Sequence, residues 1–285
     1  MMEDYGAKVD LALKLFRREA GERLAAAVDL ESKKGVPARR VLGDALILYP
    51  GSLSAELLHI IDEVYAADVA SASTELPGSS IFALASLPGL KLREASCTVV
   101  VWRGDITRLA ADAVVNAANE EGLGCFQPSH RCIDNVLHRA AGPRLREECR
   151  GCMARRGQPL AAGTRPLLTG AHNLPAKAVL HVTGPRIAVG AQPTPAAEGQ
   201  LRAAYTGCLD TARENGLRSI AFCCISTGLF GYPQAAASEV ALRAVKDWLT
   251  VPGHSDAIDY VIFDVFTDAD ERAYTELAPR IFAEG

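Results

Sequence analysis

Apolar residues follow two different patterns along the 285-residue chain, and the change comes near residue 90. Before it, apolar side chains recur at helical spacing with charged residues between them, which predicts helices over 1–34 and from 53 to about 69. A Pro-Gly pair at 88–89 indicates a break in the helical pattern. We therefore predict a mostly helical extension over residues 1–90.

After residue 90, short runs rich in Val, Ile, Ala and Phe alternate with helical patterns. The predicted strands are 97–102, 113–116, 178–182, 219–225 and 260–266. The predicted helices are 132–150, 198–215, 235–249 and 268–282. Because the strand runs are almost continuously apolar, they are typical of strands buried on both faces. The alternation predicts a second domain over 91–285, an α/β/α sandwich around a largely parallel sheet, whose ligands bind beyond the carboxyl ends of the strands.

Composition narrows the classes of function. The chain carries a formal net charge of −4, so it has no overall basic balance of the kind that neutralises nucleic-acid phosphates, and we expect no nucleic-acid partner. No apolar run is long enough to span a bilayer, and the charged N-terminal residues do not resemble a secretory signal. We therefore expect a cytoplasmic protein with no membrane partner. Its eight cysteines would be reduced there, and clustered cysteines would more often bind metals or act in catalysis than form disulfides.

The sharpest chemical signal is a C-x4-H-x-C cluster formed by Cys125, His130 and Cys132. Two thiolates and one imidazole suit zinc, and three ligands leave a fourth position open, as in catalytic zinc sites. Cys132 and Asp134 lie near the start of a predicted helix, whose positive end favours a thiolate and a carboxylate. Two alternatives are that the three residues are unrelated, or that a distant residue completes a structural site.

Two further loops carry polar side chains after predicted strands. Asp105, in Gly-Asp-Ile-Thr at 104–107, could accept a hydrogen bond from an exocyclic amine such as that of adenine, or it could cap the next helix. Asn116 and Asn119 bracket two alanines. Their amides suit a ribose diol, although turns rich in Asn are also common.

The loop at 226–233 contains two glycines, Gly228 and Gly231, and precedes a predicted helix. Its backbone N–H groups could wrap a pyrophosphate, or the loop could be an ordinary strand-to-helix turn. Phe266, at the end of the last predicted strand, could stack on a nucleobase, but a Phe in a strand is more often part of the core.

Other cysteines and histidines give weaker signals. Cys149 and Cys152 form a C-x2-C pair without a second pair, which favours unpaired thiols over a redox or metal site. Cys223 and Cys224 fall in a predicted buried strand and are predicted core residues. His181 is predicted to be structural.

Taken together, these segments resemble the macrodomain family, in particular its zinc-containing members, over roughly residues 95–285. The matching stretches are GDIT at 104–107, VVNAAN at 114–119, GCFQPSHRCIDNVLHRAAGP at 124–143, NLPAKAVLHVTGP at 173–185, ISTGLFGYP at 225–233 and VFTDADERAY at 265–274. The resemblance implies a three-layer α/β/α macrodomain with a mixed, largely parallel sheet. The zinc-containing members also carry a helical N-terminal extension, which is similar to residues 1–90 here.

The resemblance also implies that the chain binds ADP-ribose. Asp105 and Ile106 would line the adenine pocket, and Phe266 would stack on the base. The diphosphate would be wrapped by the loop of Ser226, Thr227, Gly228, Leu229, Phe230 and Gly231. The distal ribose would lie against Asn116, Asn119, Cys132, Ile133, Asp134 and Asn135.

The activity implied by the resemblance is hydrolysis of mono-ADP-ribose from modified proteins at C1″ of the distal ribose, with Asp- or Glu-linked substrates expected. Cys125, His130 and Cys132 would hold zinc as the cofactor, and Asn119, Cys132 and Asp134 would be the catalytic residues. Two alternatives stay open: a module that binds ADP-ribose without cleaving it, and a hydrolase of a free metabolite such as O-acetyl-ADP-ribose.

Overall fold

Four helices form the first part of the chain in the computed structural model, which describes residues 2–72, 84, 87–188 and 190–283. They are α1 (Met2–Glu19), α2 (Glu22–Lys33), α3 (Ala38–Leu48) and α4 (Ala55–Ala72). The predicted single helix over 1–34 is wrong, because α1 and α2 are separated at Ala20 and Gly21. Much of the predicted extension between α4 and residue 90 lies outside the described residues.

The apolar faces of these helices pack on one another. Phe16, Leu42 and Ile61 are fully buried in a hydrophobic cluster made of residues from α1 to α4. A second, larger cluster begins at Leu87 and contains the core of the rest of the chain. The boundary between 90 and 91 stays a prediction.

The described part of the chain contains one seven-stranded sheet. Its strands are β1 (Leu90–Glu94), β2 (Cys97–Trp102), β3 (Ala113–Ala117), β4 (Leu167–Gly170), β5 (Ala178–Val182), β6 (Ser219–Phe222) and β7 (Tyr260–Asp264), in the order β1-β2-β7-β6-β3-β5-β4. The five central strands run parallel, and β1 and β4 pair antiparallel at the two edges. The predicted mixed, largely parallel sheet is therefore confirmed.

Helices cover both faces of the sheet and complete the three predicted layers. They are α5 (Ile133–Ala141), α6 (Pro143–Arg156), α7 (Pro195–Glu214), α8 (Gln234–Leu249) and α9 (Asp268–Ala283). Helices α5 and α6 form one layer, and α7, α8 and α9 pack side by side in the other. The predicted helical stretch over 132–150 is broken at Gly142 into two helices, the second of which continues to Arg156. Gly142 adopts a φ of +86°, which favours glycine, and Pro143 then begins a new helix at its preferred first position.

The helical extension packs against the layer of α5 and α6, with α3 in contact with α5. Among the described residues, two ion pairs join the extension to this layer at half-exposed positions, Arg139 with Asp44 at 2.6 Å and Arg144 with Asp62 at 2.6 Å. Pairs of this exposure contribute little individually to stability. The extension nevertheless contacts the helix layer that follows the loop of Cys125, His130 and Cys132, called the Cys/His loop below.

Candidate functional site

The predicted site residues meet at one edge of the sheet. Strands β2, β3, β6 and β7 are parallel members of the same sheet, so their carboxyl ends lie along the same edge. The loops that leave those ends contain the predicted adenine, ribose, metal and diphosphate residues. The fold therefore positions all of the predicted segments where ligands of such sheets bind.

The Cys/His cluster fits a zinc ion. The Sγ atom of Cys125 lies 3.5 Å from Nδ1 of His130, and the ligand atoms of Cys125, His130 and Cys132 all lie within 4.8 Å of one another. A tetrahedral zinc with bonds of about 2.3 Å to sulfur and about 2.0 Å to nitrogen sets its sulfur and nitrogen ligands about 3.5–3.6 Å apart. Among the described residues, no fourth Cys, His or carboxylate joins this group. The presence of zinc stays a prediction that the donor set and its spacing support.

Two asparagines hold the loop that carries these ligands. Asn135 donates from Nδ2 to the carbonyl oxygens of Gln127 and His130, at 2.7 and 2.9 Å. Asn119 accepts at Oδ1 from the N–H groups of Glu121 and Gly122 and donates to the carbonyl oxygen of Gly124. The loop is thus fixed to the end of β3 on one side and to α5 on the other.

The thiol of Cys132 occupies the N-cap position of α5 and is half-buried. Burial raises the pKa of this thiol to about 11, and the neighbouring Cys125 sulfur adds to the increase. A bound dication opposes both effects, because it stabilises the thiolate directly. Without such a positive charge, the thiol of Cys132 is expected to stay protonated at neutral pH.

Asp134 lies in the first turn of α5 and is almost completely buried. Burial raises its pKa to about 6, whereas a hydrogen bond from Asn116 and the positive charge of Arg146 lower it. Asn116 donates from Nδ2 to Oδ1 of Asp134 at 2.7 Å. The structure thus places a fixed carboxylate two residues beyond Cys132, the last of the three predicted metal ligands.

Asn116 itself is fully buried and is fixed by a polar chain behind Asp134. Its Nδ2 also lies 3.1 Å from Nδ1 of His181, whose Nε2 lies 3.0 Å from Oγ1 of Thr169. Because an amide nitrogen only donates, Nδ1 of His181 accepts and its proton is on Nε2. Burial lowers the pKa of His181 to about 3 and keeps the ring neutral. A direct contact of Asn116 with a ribose stays a prediction.

This polar group was not predicted from the sequence. His181 lies opposite Asn116 in the pairing of β3 with β5, and buried Cys149 and His138 lie beside them. Nε2 of His138 is 3.6 Å from Oδ1 of Asp134. Asp134 and His138 are four residues apart on one helix, but no local spacing joins them to Asn116, Cys149 and His181. The register of β3 with β5 brings Asn116 to His181, and the packing of α6 brings Cys149 to them.

The loop after β6 has the properties of an anion site. Ser226 adopts a φ of +68°, and the loop is closed by hydrogen bonds from Tyr232 N to Ser226 O and from Gly231 N to Gly228 O, both 3.0 Å. Gly231 has a φ of +70°, and a Cβ there would lie 2.8 Å from the carbonyl oxygen of Ile187. Within the described part of the chain, the N–H groups of Gly228, Leu229 and Phe230 have no hydrogen-bond acceptor. Successive unpaired N–H groups favour a phosphate.

Three predicted residues, Asp105, Ile106 and Phe266, lie at the opposite end of the site. Asp105 caps the short 3-10 turn that follows, accepting at Oδ1 from Thr107 N at 3.0 Å and from Thr107 Oγ1 at 2.6 Å. The capping interpretation is therefore confirmed, and the second carboxylate oxygen stays available for a ligand. Ile106 is buried beside it. Phe266 is 76% exposed, so the core interpretation of this residue is wrong and its ring can receive a base.

No helix that the structure describes combines the length and the apolar character needed to cross a bilayer.

The chain is similar to proteins of known name and structure. The profile of the Macro domain family matches residues 115–241. A Trypanosoma brucei macrodomain solved in complex with ADP-ribose is 32% identical with a TM-score of 0.60, and the match covers 82% of this chain and 94% of that one. This agreement confirms the predicted macrodomain fold.

Two curated relatives are named as enzymes. A protein-ADP-ribose hydrolase of Treponema medium is 47% identical over 62% of this chain and 66% of its own length. A probable bifunctional ADP-ribose hydrolase/ADP-ribosyltransferase of Fusarium oxysporum f. sp. cubense is 45% identical over 69% of this chain. The chain spans 34% of the Fusarium protein and just under two thirds of the Treponema one. From the fold, the loop geometry and these matches together, we conclude that the chain belongs to the macrodomain family.

Proposed function

We propose that this macrodomain is a zinc-dependent hydrolase that removes mono-ADP-ribose from modified proteins by cleavage at C1″ of the distal ribose. The observation that carries the proposal is the set of Cys125, His130 and Cys132 at metal-binding distances, next to the buried carboxylate of Asp134. A module that only binds ADP-ribose needs no such group. The names of the Treponema and Fusarium relatives support the same reaction.

Binding would use the two ends of the site. The unpaired N–H groups of Gly228, Leu229 and Phe230 would donate to the diphosphate, and the exposed ring of Phe266 would stack on adenine. The free carboxylate oxygen of Asp105 would accept a hydrogen bond from the adenine amine. The distal ribose would then lie toward β3 and the Cys/His loop.

Catalysis would depend on Asp134 and the groups that hold it. When bound by Cys125, His130 and Cys132, zinc would supply positive charge that polarises the oxygens at the anomeric carbon. Asp134, fixed by Asn116, would position a water molecule and accept its proton. The Nδ2 atom of Asn119 carries two hydrogens and uses one of them to bind the carbonyl oxygen of Gly124. The second hydrogen would bind and orient the distal ribose.

The test is release of ADP-ribose from defined substrates. The purified 285-residue protein is incubated with Asp/Glu-linked and with Ser-linked mono-ADP-ribosylated proteins, and with O-acetyl-ADP-ribose, before and after zinc is removed by a chelator. We expect release from the Asp/Glu-linked protein, loss of release on chelation and recovery when zinc is returned. Circular dichroism on the same samples reports whether the fold persists.

Two results would overturn the proposal. If ADP-ribose binds but no substrate is cleaved, the protein is a binding module. If only O-acetyl-ADP-ribose is cleaved, the substrate is a free metabolite. A structural zinc gives a different pattern, in which chelation unfolds the domain and abolishes binding and turnover together.

A further inference from the structure

Helix α6 carries a buried arginine, Arg146, to which the proposed reaction assigns no role. It is only 6% exposed, and no carboxylate among the described residues lies within ion-pair distance of it. Burial of its charge lowers the pKa of the guanidinium, a cost that the neighbouring Asp134 partly offsets. Such a charge needs other partners in the fold.

One edge of the guanidinium binds the helical extension. The Nη1 atom donates to the carbonyl oxygens of Leu46, Ile47 and Tyr49, at 3.0, 3.1 and 3.0 Å. These carbonyls lie at the C-terminal end of α3, where a helix has unpaired acceptors and partial negative charge. Arg146 thus serves as the cap of a helix that belongs to the extension.

The other edge of the same guanidinium binds the Cys/His loop. Nε donates to the carbonyl oxygen of Leu123 at 2.9 Å, and Nη2 lies 3.5 Å from that of Cys125. The ring of Phe126 stacks on the guanidinium, with 4.2 Å between Cζ and the ring centroid. The contacts therefore include the backbone of Cys125, which is the first proposed metal ligand, the ring of the next residue, Phe126, and the backbone of Leu123, two positions earlier.

An arginine is the side chain suited to this double contact. Its planar group carries five donors in fixed directions, so one rigid group can bind two segments on different edges. A lysine has a single ammonium that cannot reach both sets of carbonyls in the same geometry. Movement of α3 relative to α6 would consequently move the backbone at Cys125.

We propose that Arg146 is a positioning residue through which the helical extension fixes the metal-binding loop. The inference rests on the proposed function in one respect, because it takes Cys125 as a zinc ligand. It assigns a role to the extension, to which no chemistry is otherwise attached. The extension would maintain the geometry of the cluster without touching the substrate.

The test compares zinc release from variants of the 285-residue protein at a temperature well below their melting points. Arg146→Lys is expected to lose zinc to an excess of chelator about 10- to 100-fold faster than the unmodified protein, the range typical of groups that orient metal ligands. The matched controls are Arg144→Lys and Arg150→Lys. Arg144 binds Asp62, and Arg150 binds Pro50 O and Ser52 Oγ, so both contact the extension without touching the loop.

A merely structural role of Arg146 would lower the melting temperature of Arg146→Lys but leave its zinc release at the rate of the two control variants. Phe126→Leu, which removes only the stacked ring from a half-buried position, is expected to release zinc several-fold faster and provides a second variant in case Arg146→Lys folds poorly.

Zinc release from Arg146→Lys and Phe126→Leu at the unmodified rate would overturn this inference alone. An unmodified protein that binds no zinc would overturn both it and the proposed function. A protein that holds zinc, releases it faster in the two variants and cleaves no substrate would leave the inference standing and the proposed function wrong.

Discussion

Replacing Cys132 with serine is expected to remove the bound zinc and to lower the release of ADP-ribose about 100-fold or more. Replacing groups that only orient metal ligands already costs about 10- to 100-fold, and loss of a ligand should cost at least as much. A serine hydroxyl stays protonated at neutral pH and is a poor zinc ligand. Serine is, however, a preferred N-cap residue, and Cys132 occupies the N-cap of α5 without a side-chain capping bond. The melting temperature of the metal-free protein should therefore be maintained.

Metal analysis, released ADP-ribose and thermal unfolding measured on the same preparation check this result. Cys152→Ser is the matched control, because Cys152 is also half-buried but lies on α6, outside the metal cluster. It should retain zinc and turnover. If Cys132→Ser bound zinc and turned over like the unmodified protein, Cys132 would not be a ligand and the three-residue site would be wrong.

Replacing Asp134 with asparagine is expected to lower turnover about 10²- to 10⁴-fold while ADP-ribose still binds, which is the range lost with a catalytic acid or base. Asparagine has the same shape and can accept the hydrogen bond from Asn116 through its oxygen. Stability should not fall, since burial disfavours the charge of Asp134, as its raised pKa shows. Single-turnover kinetics and calorimetric titration with ADP-ribose separate the two effects.

Glu121→Gln is the control for this charge change, because Glu121 is an exposed carboxylate next to the same loop. It should leave turnover unchanged. Normal turnover by the Asp134→Asn variant would show that the carboxylate has no part in the reaction. Loss of zinc from that variant would instead show that Asp134 supports the metal, and its assignment to the chemical step would then be wrong.

Most of the central sheet could be predicted from the sequence, because strands buried on both faces are continuous apolar runs. The bounds of β2 and β5 match their predictions, and β6 and β7 end earlier than predicted, at Phe222 and Asp264. The apolar residues that follow leave the ladder and begin the loops that carry the predicted binding residues. The edge strands β1 and β4 escaped prediction, since β1 alternates half-buried with exposed residues and β4 has only four residues.

The candidate site likewise contains one part that the sequence predicts and another that only the folded structure brings together. Cys125, His130 and Cys132 lie within eight residues, so their spacing alone predicts a cluster. The polar chain behind Asp134 joins Asn116 to His181, which are neighbours only through the pairing of β3 with β5. The contact of Arg146 with α3 spans about a hundred residues of sequence and depends on how the extension packs. Pairings of this kind follow from tertiary structure and have no local signal.

The dependence of turnover on zinc occupancy is the most direct measurement of whether the cluster is catalytic. Metal-free protein is titrated with zinc, and release of ADP-ribose from an Asp/Glu-linked substrate is followed together with circular dichroism. We predict that the rate rises in proportion to occupancy and levels off at one zinc per chain, while the spectrum stays constant. A rate that is already maximal without zinc, or one that rises only as the protein folds, would contradict a catalytic role for the metal.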